Sequence, residues 1–553
     1  MRYFNIGQVQ LFPSYSINVE EQEKIDRFFE LLEKSGVGEI LEKQRISSRR
    51  TGGRPAYNRY QLFAMILYGF AFSSGTARDL ESLCKNDLRY IYIMKEEQPS
   101  YRTIINFFND YIVPNEEIIF KLVNKAILEE CGVQLEDVYL DGTKIEADAN
   151  KYKFVWKPTT FHNRLSDKIR NLLEIIGLQN SLPKTGIIDS KIVAEKLIEF
   201  SEMIERTDES KRKTLIKQFD QLTEYLEKSL EYEEKERICG PDRNSYYKTD
   251  HDATAMTLKS DYYSGLGSNM RAAYNTQAAV ANGFVVSYHV SQSRTDYHEL
   301  IPTIERFYFF NECYPKNLCA DSGYGILENY EYLKEKNIVS YVKYSSWQGN
   351  VSGKNPDRYR LQDDNSIVCL NGHIGYQVDL PDRHPKNARS VFYKITGCLK
   401  CAFSAYCKRW QKNKSENFKI FEVCIPFLIL KQETERNLLS VKGIEMRVNR
   451  SSQVEGSFGV LKQNMRYVRF RRTTLPKVTA EYMLTFLGYN IRKLFRHYSG
   501  KSLPEYWTAP KDIQPESFKK PSAKKLSKKA SKKKQKTGNQ IAKESYKNKK
   551  KKG

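Results

Sequence analysis

The sequence lacks any hydrophobic run long enough to cross a membrane. Its longest apolar stretch spans residues 62–72, whereas a membrane-spanning helix needs about 20 residues. The N-terminal residues do not show the basic, apolar and small-residue succession of a secretory signal. A Walker-type phosphate-binding loop is also missing. We therefore expect a cytoplasmic protein that uses no nucleotide cofactor.

Cysteine is sparse, with ten residues scattered over 553. This distribution fits a reducing cytosol better than a disulfide framework. Four of the ten, Cys369, Cys398, Cys401 and Cys407, follow one another in the second half of the chain. Four thiolates can complete a tetrahedral Zn²⁺ site. The sequence leaves two interpretations open, a structural zinc and free buried thiols.

Acidic residues are almost missing from the C-terminal tail. Residues 518–553 contain sixteen lysines and one glutamate, which is most of the chain's net charge of +23. Because the tail has almost no large apolar residue, it is predicted to be disordered. Lysine blocks attract DNA in a salt-sensitive, sequence-independent way. A tail that only improves solubility is the alternative.

Two motifs place an aspartate after a buried strand. VYLDGTKIEAD predicts a strand that ends on Asp141, and LCADSGYG predicts one that ends on Asp321 before a turn. Taken singly, an aspartate in this position is more often a turn former or a helix cap.

A third motif, NRSSQVEGSFGVLKQN, predicts an amphipathic helix. Val454, Phe458 and Leu461 recur at helical spacing and form its buried stripe. Glu455 lies beside this stripe, and Lys462 lies two turns further along on a neighbouring face. Glu455 alone would more often be a solvated surface residue.

Together the three carboxylates suggest metal-dependent phosphoryl transfer. Oxygen ligands of this kind select Mg²⁺ or Mn²⁺. Two such ions, held by Asp141, Asp321 and Glu455, would activate a water or a 3′-hydroxyl and stabilise the leaving oxygen. Lys462 would contact a phosphate.

The order of these motifs resembles the DDE transposases of bacterial insertion sequences, in the branch with an N-terminal helical domain and a cysteine-bearing insertion in the catalytic domain. The resemblance covers most of residues 15–500 and is most specific at 450–464 and in YMLTFLGYNIRKLF, with its Tyr489–Asn490 pair. It implies an RNase H-like fold with Asp141, Asp321 and Glu455 as the catalytic triad.

The sequence departs from the family at one position. Some branches carry an arginine four residues before the glutamate, and this chain has Ser451 there. Arg450 and Arg447 are the nearest arginines and are candidate phosphate contacts, without a firm role for either.

The first 130 residues are predicted to form short capped helices. Asn18, Asn58 and Ser100 stand where helix N-caps are expected. Tight connections between such helices suit a DNA-binding module, and the resemblance implies that it recognises the terminal inverted repeats. Arg54 and Arg102 are candidate DNA contacts, together with Arg49, Arg50 and Lys95. An ordinary helical domain with surface arginines is the alternative.

The predicted fold class is α+β: an RNase H-like core, with a mixed sheet and flanking helices, that is interrupted by a helical and a β-rich insertion and preceded by an all-α DNA-binding domain. The predicted boundaries are 1–130 for the helical DNA-binding domain, 131–159, 241–343 and 431–505 for the core, 160–240 for the helical insertion, 344–430 for the cysteine-bearing β-rich insertion and 506–553 for the disordered lysine-rich tail.

The sequence therefore predicts a transposase that binds terminal inverted repeats and cleaves and joins DNA strands. Both steps are phosphoryl transfers at one metal centre. Because two DNA ends must be joined, a homodimer in a synaptic complex is expected, acting on DNA near the bacterial nucleoid. The alternatives are an RNase H-like nuclease without joining activity and a non-catalytic DNA-binding relic of a transposase.

Overall fold

The computed structural model describes residues 17–43, 56–259 and 269–526. Its helices are α1 (Val19–Lys34), α2 (Val37–Lys43), α3 (Arg59–Phe72), α4 (Ala77–Asn86), α5 (Leu88–Ile93), α6 (Tyr101–Phe107), α7 (Glu116–Glu130), α8 (Thr159–Ile176), α9 (Ser190–Glu205), α10 (Glu209–Cys239), α11 (Leu300–Asn311), α12 (Leu327–Glu335), α13 (Trp347–Ser352), α14 (Ser404–Cys407), α15 (Ile425–Leu439), α16 (Val441–Arg450), α17 (Gly456–Gly459) and α18 (Leu475–Tyr498). Its strands are β1 (Asp137–Glu146), β2 (Phe154–Trp156), β3 (Ser245–Tyr247), β4 (Thr254–Thr257), β5 (Met270–Ala281), β6 (Phe284–Ser291), β7 (Asn317–Ala320), β8 (Val339–Ser340), β9 (Tyr359–Leu361), β10 (Ile367–Cys369), β11 (Ile374–Val378), β12 (Ser390–Thr396) and β13 (Phe418–Cys424).

The central sheet is mixed. Its order is β4-β5-β1-β7-β8, with β6 pairing along the rest of β5. β5 is antiparallel to β1, β4 and β6, whereas β1, β7 and β8 are parallel. The fold is thus mixed α/β with a mixed sheet and flanking helices, which is compatible with the predicted α+β class.

A tight turn joins β5 to β6. Asn282 and Gly283 adopt left-handed backbone angles, with φ of 47° and 78°, as the Asn-Gly pair predicts. The amide of Gly283 donates to Gln453 Oε1 at 2.9 Å, and Tyr489 Oη donates to the Gly283 carbonyl at 3.0 Å. The turn therefore attaches the sheet to the helix that carries Glu455.

The N-terminal helices share a hydrophobic core with the sheet. The predicted caps are present: the side chains of Asn18, Asn58 and Ser100 accept backbone N–H groups at the starts of α1, α3 and α6. α3 is apolar almost all round and is buried against α18, as expected for a helix without a polar face. They approach so closely that a Cβ at Gly488 would lie 2.7 Å from the Phe70 carbonyl.

Two further units extend from the core. Helices α8, α9 and α10 pack around their own small cluster of apolar residues, so the region predicted as a helical hairpin contains three helices. Strands β9–β13 form an antiparallel sheet in the order β13-β12-β11-β10-β9, in the region predicted to be β-rich.

Residues 506–526, assigned to the tail on composition, are held against the core. The amide of Trp507 donates to Asn449 Oδ1 at 3.1 Å, and the amide of Glu516 donates to the Leu439 carbonyl at 2.8 Å. The ring of Phe518 meets that of Trp347 edge-on at 5.7 Å. The remainder of the tail, 527–553, lies outside the described residues. Within the described ranges, no helix combines the length and apolar character needed to span a membrane.

Candidate active site

Asp141 and Asp321 lie side by side on neighbouring parallel strands. The register pairs Leu140 of β1 with Ala320 of β7. Asp141 and Asp321 each follow directly after this pair, so they lie next to each other. Parallel strands lie about 4.8 Å apart. β7 ends at Ala320, and the chain then turns through a 3-10 helix at Ser322–Tyr324.

The predicted strand end at Asp141 is wrong, although the prediction for Asp321 is correct. β1 continues to Glu146, because its second half pairs with β5 from Asp141↔Ala278 to Glu146↔Ala273. What ends beside Asp141 is the neighbouring strand β7. An Asp-Gly pair is compatible with a turn, but a long antiparallel partner keeps the backbone extended at Gly142.

Glu455 lies on a helix, as predicted, and that helix is not a regular α-helix. α16 is followed by a π-helical turn at Ser451–Glu455, by the single turn α17 and by a second π-helical turn at Val460–Asn464. The stripe of Val454, Phe458 and Leu461 is buried, as expected.

The first π-helical turn explains the missing arginine. A π-helix closes its hydrogen bonds over five residues rather than four. The side chain five residues before Glu455, that of Arg450, is therefore brought onto the same helix face as Glu455. Arg450 Nη2 donates to Glu455 Oε1 at 3.2 Å, while Ser451 Oγ donates to Oε2 at 3.0 Å. Arg447 points elsewhere and pairs with Glu516 at 2.7 Å.

Arg450 links two of the three carboxylates. Its Nη1 donates to Asp141 Oδ2 at 2.9 Å, and its side chain is only 9% exposed. Its Nε is buried with no hydrogen-bond partner among the described residues. The guanidinium is thus a fixed positive charge between Asp141 and Glu455.

Burial and charge oppose each other at this pair. Burial raises the pKa of Asp141, against the lowering effects of Arg450 and of the Gly142 amide, which donates at 2.9 Å. Burial also acts to lower the pKa of Arg450, but Asp141 and Asp321 hold it above its ordinary value. The site therefore favours a cation between its acids.

Lys462 reaches the same strand from the helix. Its Nζ donates to Thr143 Oγ1, two residues beyond Asp141 and on the same strand face. Burial, with a contribution from Lys259, lowers the pKa of Lys462. Asp141 and Lys462 thus line one side of the site.

A polar network behind Asp141 was not anticipated from the sequence. Asp296 lies four residues before the start of α11, and its Oδ1 accepts from Asn275 Nδ2 at 2.8 Å and from Gln277 Nε2 at 3.1 Å. Tyr324 Oη donates to Gln277 Oε1. The available signal in the sequence was the run of polar residues Asn275, Thr276 and Gln277 within the apolar strand β5. Because a buried polar group without a partner is costly, such a run indicates a hydrogen-bonded network.

The other predicted DNA contacts lie apart from the acids. Arg102 is exposed on α6, and Lys95 is exposed in a turn with a left-handed backbone. Arg49, Arg50 and Arg54 lie outside the described residues.

The four clustered cysteines converge. Cys369, Cys398, Cys401 and Cys407 line one small cavity of about 20 Å³ at the edge of the second sheet. The amide of Phe403 donates to Cys401 Sγ at 3.4 Å. Burial raises the pKa of Cys407 to about 11. Within the described ranges, neither these thiols nor the three acids are drawn together tightly enough to form a ready metal-binding group.

Two family models match this chain. Transposase domain (DUF772) matches residues 14–110, which include α1–α6, and Transposase DDE domain matches residues 368–495. The second match contains Arg450, Glu455 and Lys462 and begins after Asp141 and Asp321. The curated proteins and the solved structures gave no match. Together the two family matches support a DDE transposase of an insertion sequence.

Proposed function

We propose that this transposase binds the terminal inverted repeats of its element and catalyses DNA strand cleavage and strand transfer at Asp141, Asp321 and Glu455. The observation that carries the proposal is the arrangement of the acids: two adjacent aspartates on parallel strands face a helical glutamate, and Arg450 joins the two sides.

The strand order supports an RNase H-like core. An antiparallel meander of β1, β5 and β6 occupies one side of the sheet, and β7 and β8 extend it in parallel on the other. This arrangement brings the first acid to the centre of the sheet and the second to the neighbouring strand. On this assignment the three core segments predicted from the sequence form one domain.

The donor set fits divalent cations. Three carboxylates provide the hard oxygen ligands that Mg²⁺ or Mn²⁺ prefers, and the single positive charge of Arg450 pairs with two of them without balancing both. Two bound ions would supply Lewis-acid activation of a water or 3′-hydroxyl and stabilisation of the leaving oxygen.

The protein's own side chains would position the DNA. Lys462 lies on the Asp141 side of the site and offers an ammonium group to a phosphate beside the scissile bond. Arg450 has a rigid, planar donor set that can form two hydrogen bonds to one phosphate. A phosphate of the DNA backbone could therefore replace one of the carboxylates as its partner. The buried network of Gln277, Asp296 and Tyr324 would keep β1 and the loop after Asp321 in register.

The remaining elements would recognise the DNA and assemble the complex. Arg102, which is exposed on α6, and Arg54, which lies outside the described residues, are proposed contacts to the terminal repeats. Because two ends are joined, the active form is proposed to be a homodimer working at the nucleoid. We also propose a structural Zn²⁺ on the four cysteines, whose shared cavity and N–H···S bond suit a metal site that closes on binding. Zinc content and melting temperature before and after Cys398→Ser would test it.

A cleavage and strand-transfer assay tests the proposed function. Purified protein, Mg²⁺ and a labelled duplex with the repeat that flanks its own gene would be compared with Asp321→Asn and Glu455→Gln. These isosteric changes keep the shape of the site and remove a negative ligand. Nicking plus joined product, lost in both variants, is the expected result.

The other outcomes have distinct meanings. Cleavage without any joined product would favour a nuclease of the same fold. Specific binding with no cleavage, unchanged by either substitution, would favour a non-catalytic relic.

A further inference from the structure

A basic groove lies on the other side of the helix that carries Glu455. We define it by Ser452, Gly456, Val460 and Asn464 on that helix and by Arg492, Lys493 and Arg496 on α18. These residues line a cavity of about 550 Å³, to which Leu503, Pro504 and Tyr506 also contribute. None of the three basic residues belongs to the proposed catalytic site.

The three cations have no acidic partner. In the described part of the chain, none of them lies within ion-pair distance of a carboxylate. Arg492 donates to the Ala71 carbonyl at 3.3 Å, and Lys493 Nζ lies over the rings of Tyr489 and Phe284 at 5.3 and 5.4 Å. Arg496 is exposed. Burial and the neighbouring Arg496 lower the pKa of Lys493 to about 8. The positive charge of the groove is therefore not balanced by a paired carboxylate in the described part of the chain, and a bound anion would balance it.

Gly456 leaves helix backbone exposed at the floor of the groove. Ser452, Val460 and Asn464 line the same cavity and therefore lie on the same face of the helix. A Cβ at Gly456 would meet no protein atom within 4 Å, so packing does not require glycine there. Glycine inside a helix costs about 1 kcal/mol relative to alanine. Because packing within the protein does not explain this loss of helix stability, the glycine fits a position where a bound molecule approaches the helix backbone closely.

The groove is next to the catalytic carboxylate. Gly456 follows Glu455 directly, and a helix with its side chains is only about 10 Å across. A polyanion held by Arg492 and Arg496 therefore passes within one helix width of Glu455.

We propose that the basic groove binds the phosphodiester backbone of duplex DNA while that DNA is held at the active site. This inference rests on the proposed function and extends it to a second contact surface. The backbone comes either from the terminal-repeat end or from the target. A surface groove with three cations along little more than one turn of one helix suits a continuous polyanion better than a single small anion.

The test uses the full chain and the double variant Arg492→Gln/Arg496→Gln. Its matched control is Arg164→Gln/Lys168→Gln, which removes the same charge at the same spacing from exposed positions of α8. Fluorescence anisotropy over a series of KCl concentrations would measure binding to a terminal-repeat duplex and to an unrelated target duplex.

The groove variant should bind at least one duplex more weakly, with a salt slope lower by about two, since each lost phosphate contact contributes about 0.9. The control should keep the wild-type slope. The duplex whose slope changes identifies the source of the bound backbone. Strand transfer should fall with the variant's affinity.

If the groove variant and the control have the same salt slope of binding on both duplexes, the proposed DNA contact in the groove is wrong, even if the wild type cleaves and joins DNA. Failure of the wild type to cleave its own repeat end is instead a failure of the proposed function. If the double variant melts well below the wild type, the single variant Arg496→Gln is measured in its place, because Arg496 is exposed. Its salt slope of binding should then fall by about one, and an unchanged slope would contradict the proposal.

Discussion

At the scale of single residues, Arg450 determines the character of the site. It is almost fully buried, and it contacts Asp141 and Glu455 at once. The partly buried carboxylate of Asp141 and the exposed carboxylate of Glu455 would repel one another without a cation between them. Arg450 therefore stabilises an arrangement of acids that is also suited to metal ions.

Removal of Arg450 should be costly because it leaves a desolvated carboxylate unpaired. We expect Arg450→Met to lower the free energy of unfolding by about 3 kcal/mol. The double variant Asp141→Asn/Arg450→Met should regain most of that loss, since neither charge is then left alone. Urea unfolding of the wild type, both single variants and the double variant measures the coupling. Additive losses in the double variant would contradict the pairing.

A second prediction concerns His289 on β6. Burial, with the nearby Arg306, lowers the pKa of His289 to about 4, from an ordinary value of about 6.5. Between these two values the unfolded chain binds a proton that the folded chain does not, so stability should fall as the pH falls through this window. The loss attributable to His289 is at most about 3 kcal/mol.

The variant His289→Gln should therefore lose less stability between pH 6.5 and pH 4 than the wild type does. Urea midpoints at several pH values measure this. His298→Gln is the control, because His298 is exposed on the surface, where it pairs with Glu328. An acid sensitivity unchanged in His289→Gln would contradict the burial of a neutral imidazole.

At the scale of elements, the helix from Val441 to Asn464 organises the site. Its two π-helical turns shift the register of successive faces, so that Arg450 and Lys462 donate to residues of β1 and Arg450 also donates to Glu455. π-helical turns are uncommon and occur frequently at functional sites. A regular α-helix over the same residues would have rotated Arg450 away from Glu455.

Gly459 lies on this helix between Glu455 and Lys462, and a Cβ there would meet no protein atom within 4 Å. Gly459→Ala should therefore raise the free energy of unfolding by up to about 1 kcal/mol. The same methyl group should reduce DNA cleavage, because it occupies space beside the proposed scissile phosphate. Denaturant unfolding and the cleavage assay measure the two effects. A variant that is both more stable and fully active would contradict close DNA approach at this position.

At the scale of the whole molecule, the N-terminal helices and the catalytic sheet form one body around α18. Their apolar side chains belong to a single core, and the segment 506–526 crosses α16 and reaches the second sheet region near Trp347. If the N-terminal helices bind DNA as proposed, that DNA would be held in a fixed relation to the three acids.

Deletion of residues 527–553 removes twelve lysines and leaves the contacts of 506–526 intact. We expect weaker binding to all duplexes by a similar factor and a flatter salt dependence, because lysines contact phosphates without reading sequence. Specificity for the repeat should not change. Binding curves on repeat and unrelated duplexes measure both, and an unchanged salt slope would assign the tail to solubility.

Local patterns in the sequence were sufficient for much of the fold. Caps at Asn18 and Asn58, the Asn282–Gly283 turn and the buried stripe of Val454 depend on neighbours within a few residues, and all are present. The end of β1 was misplaced because its true partner, β5, lies more than 120 residues away and overrides the local turn signal of Gly142.

The sequence by itself determined the order of the elements, the identity of the three acids as candidates and the basic character of the tail, because composition and periodicity are written residue by residue. Only the tertiary structure decided which side chains meet. The bridge from Arg450 to Asp141 spans 309 positions, and the network of Asp296 with Gln277 depends on the sheet register. Such contacts form because distant strands and a π-distorted helix pack together, and no local pattern records that packing.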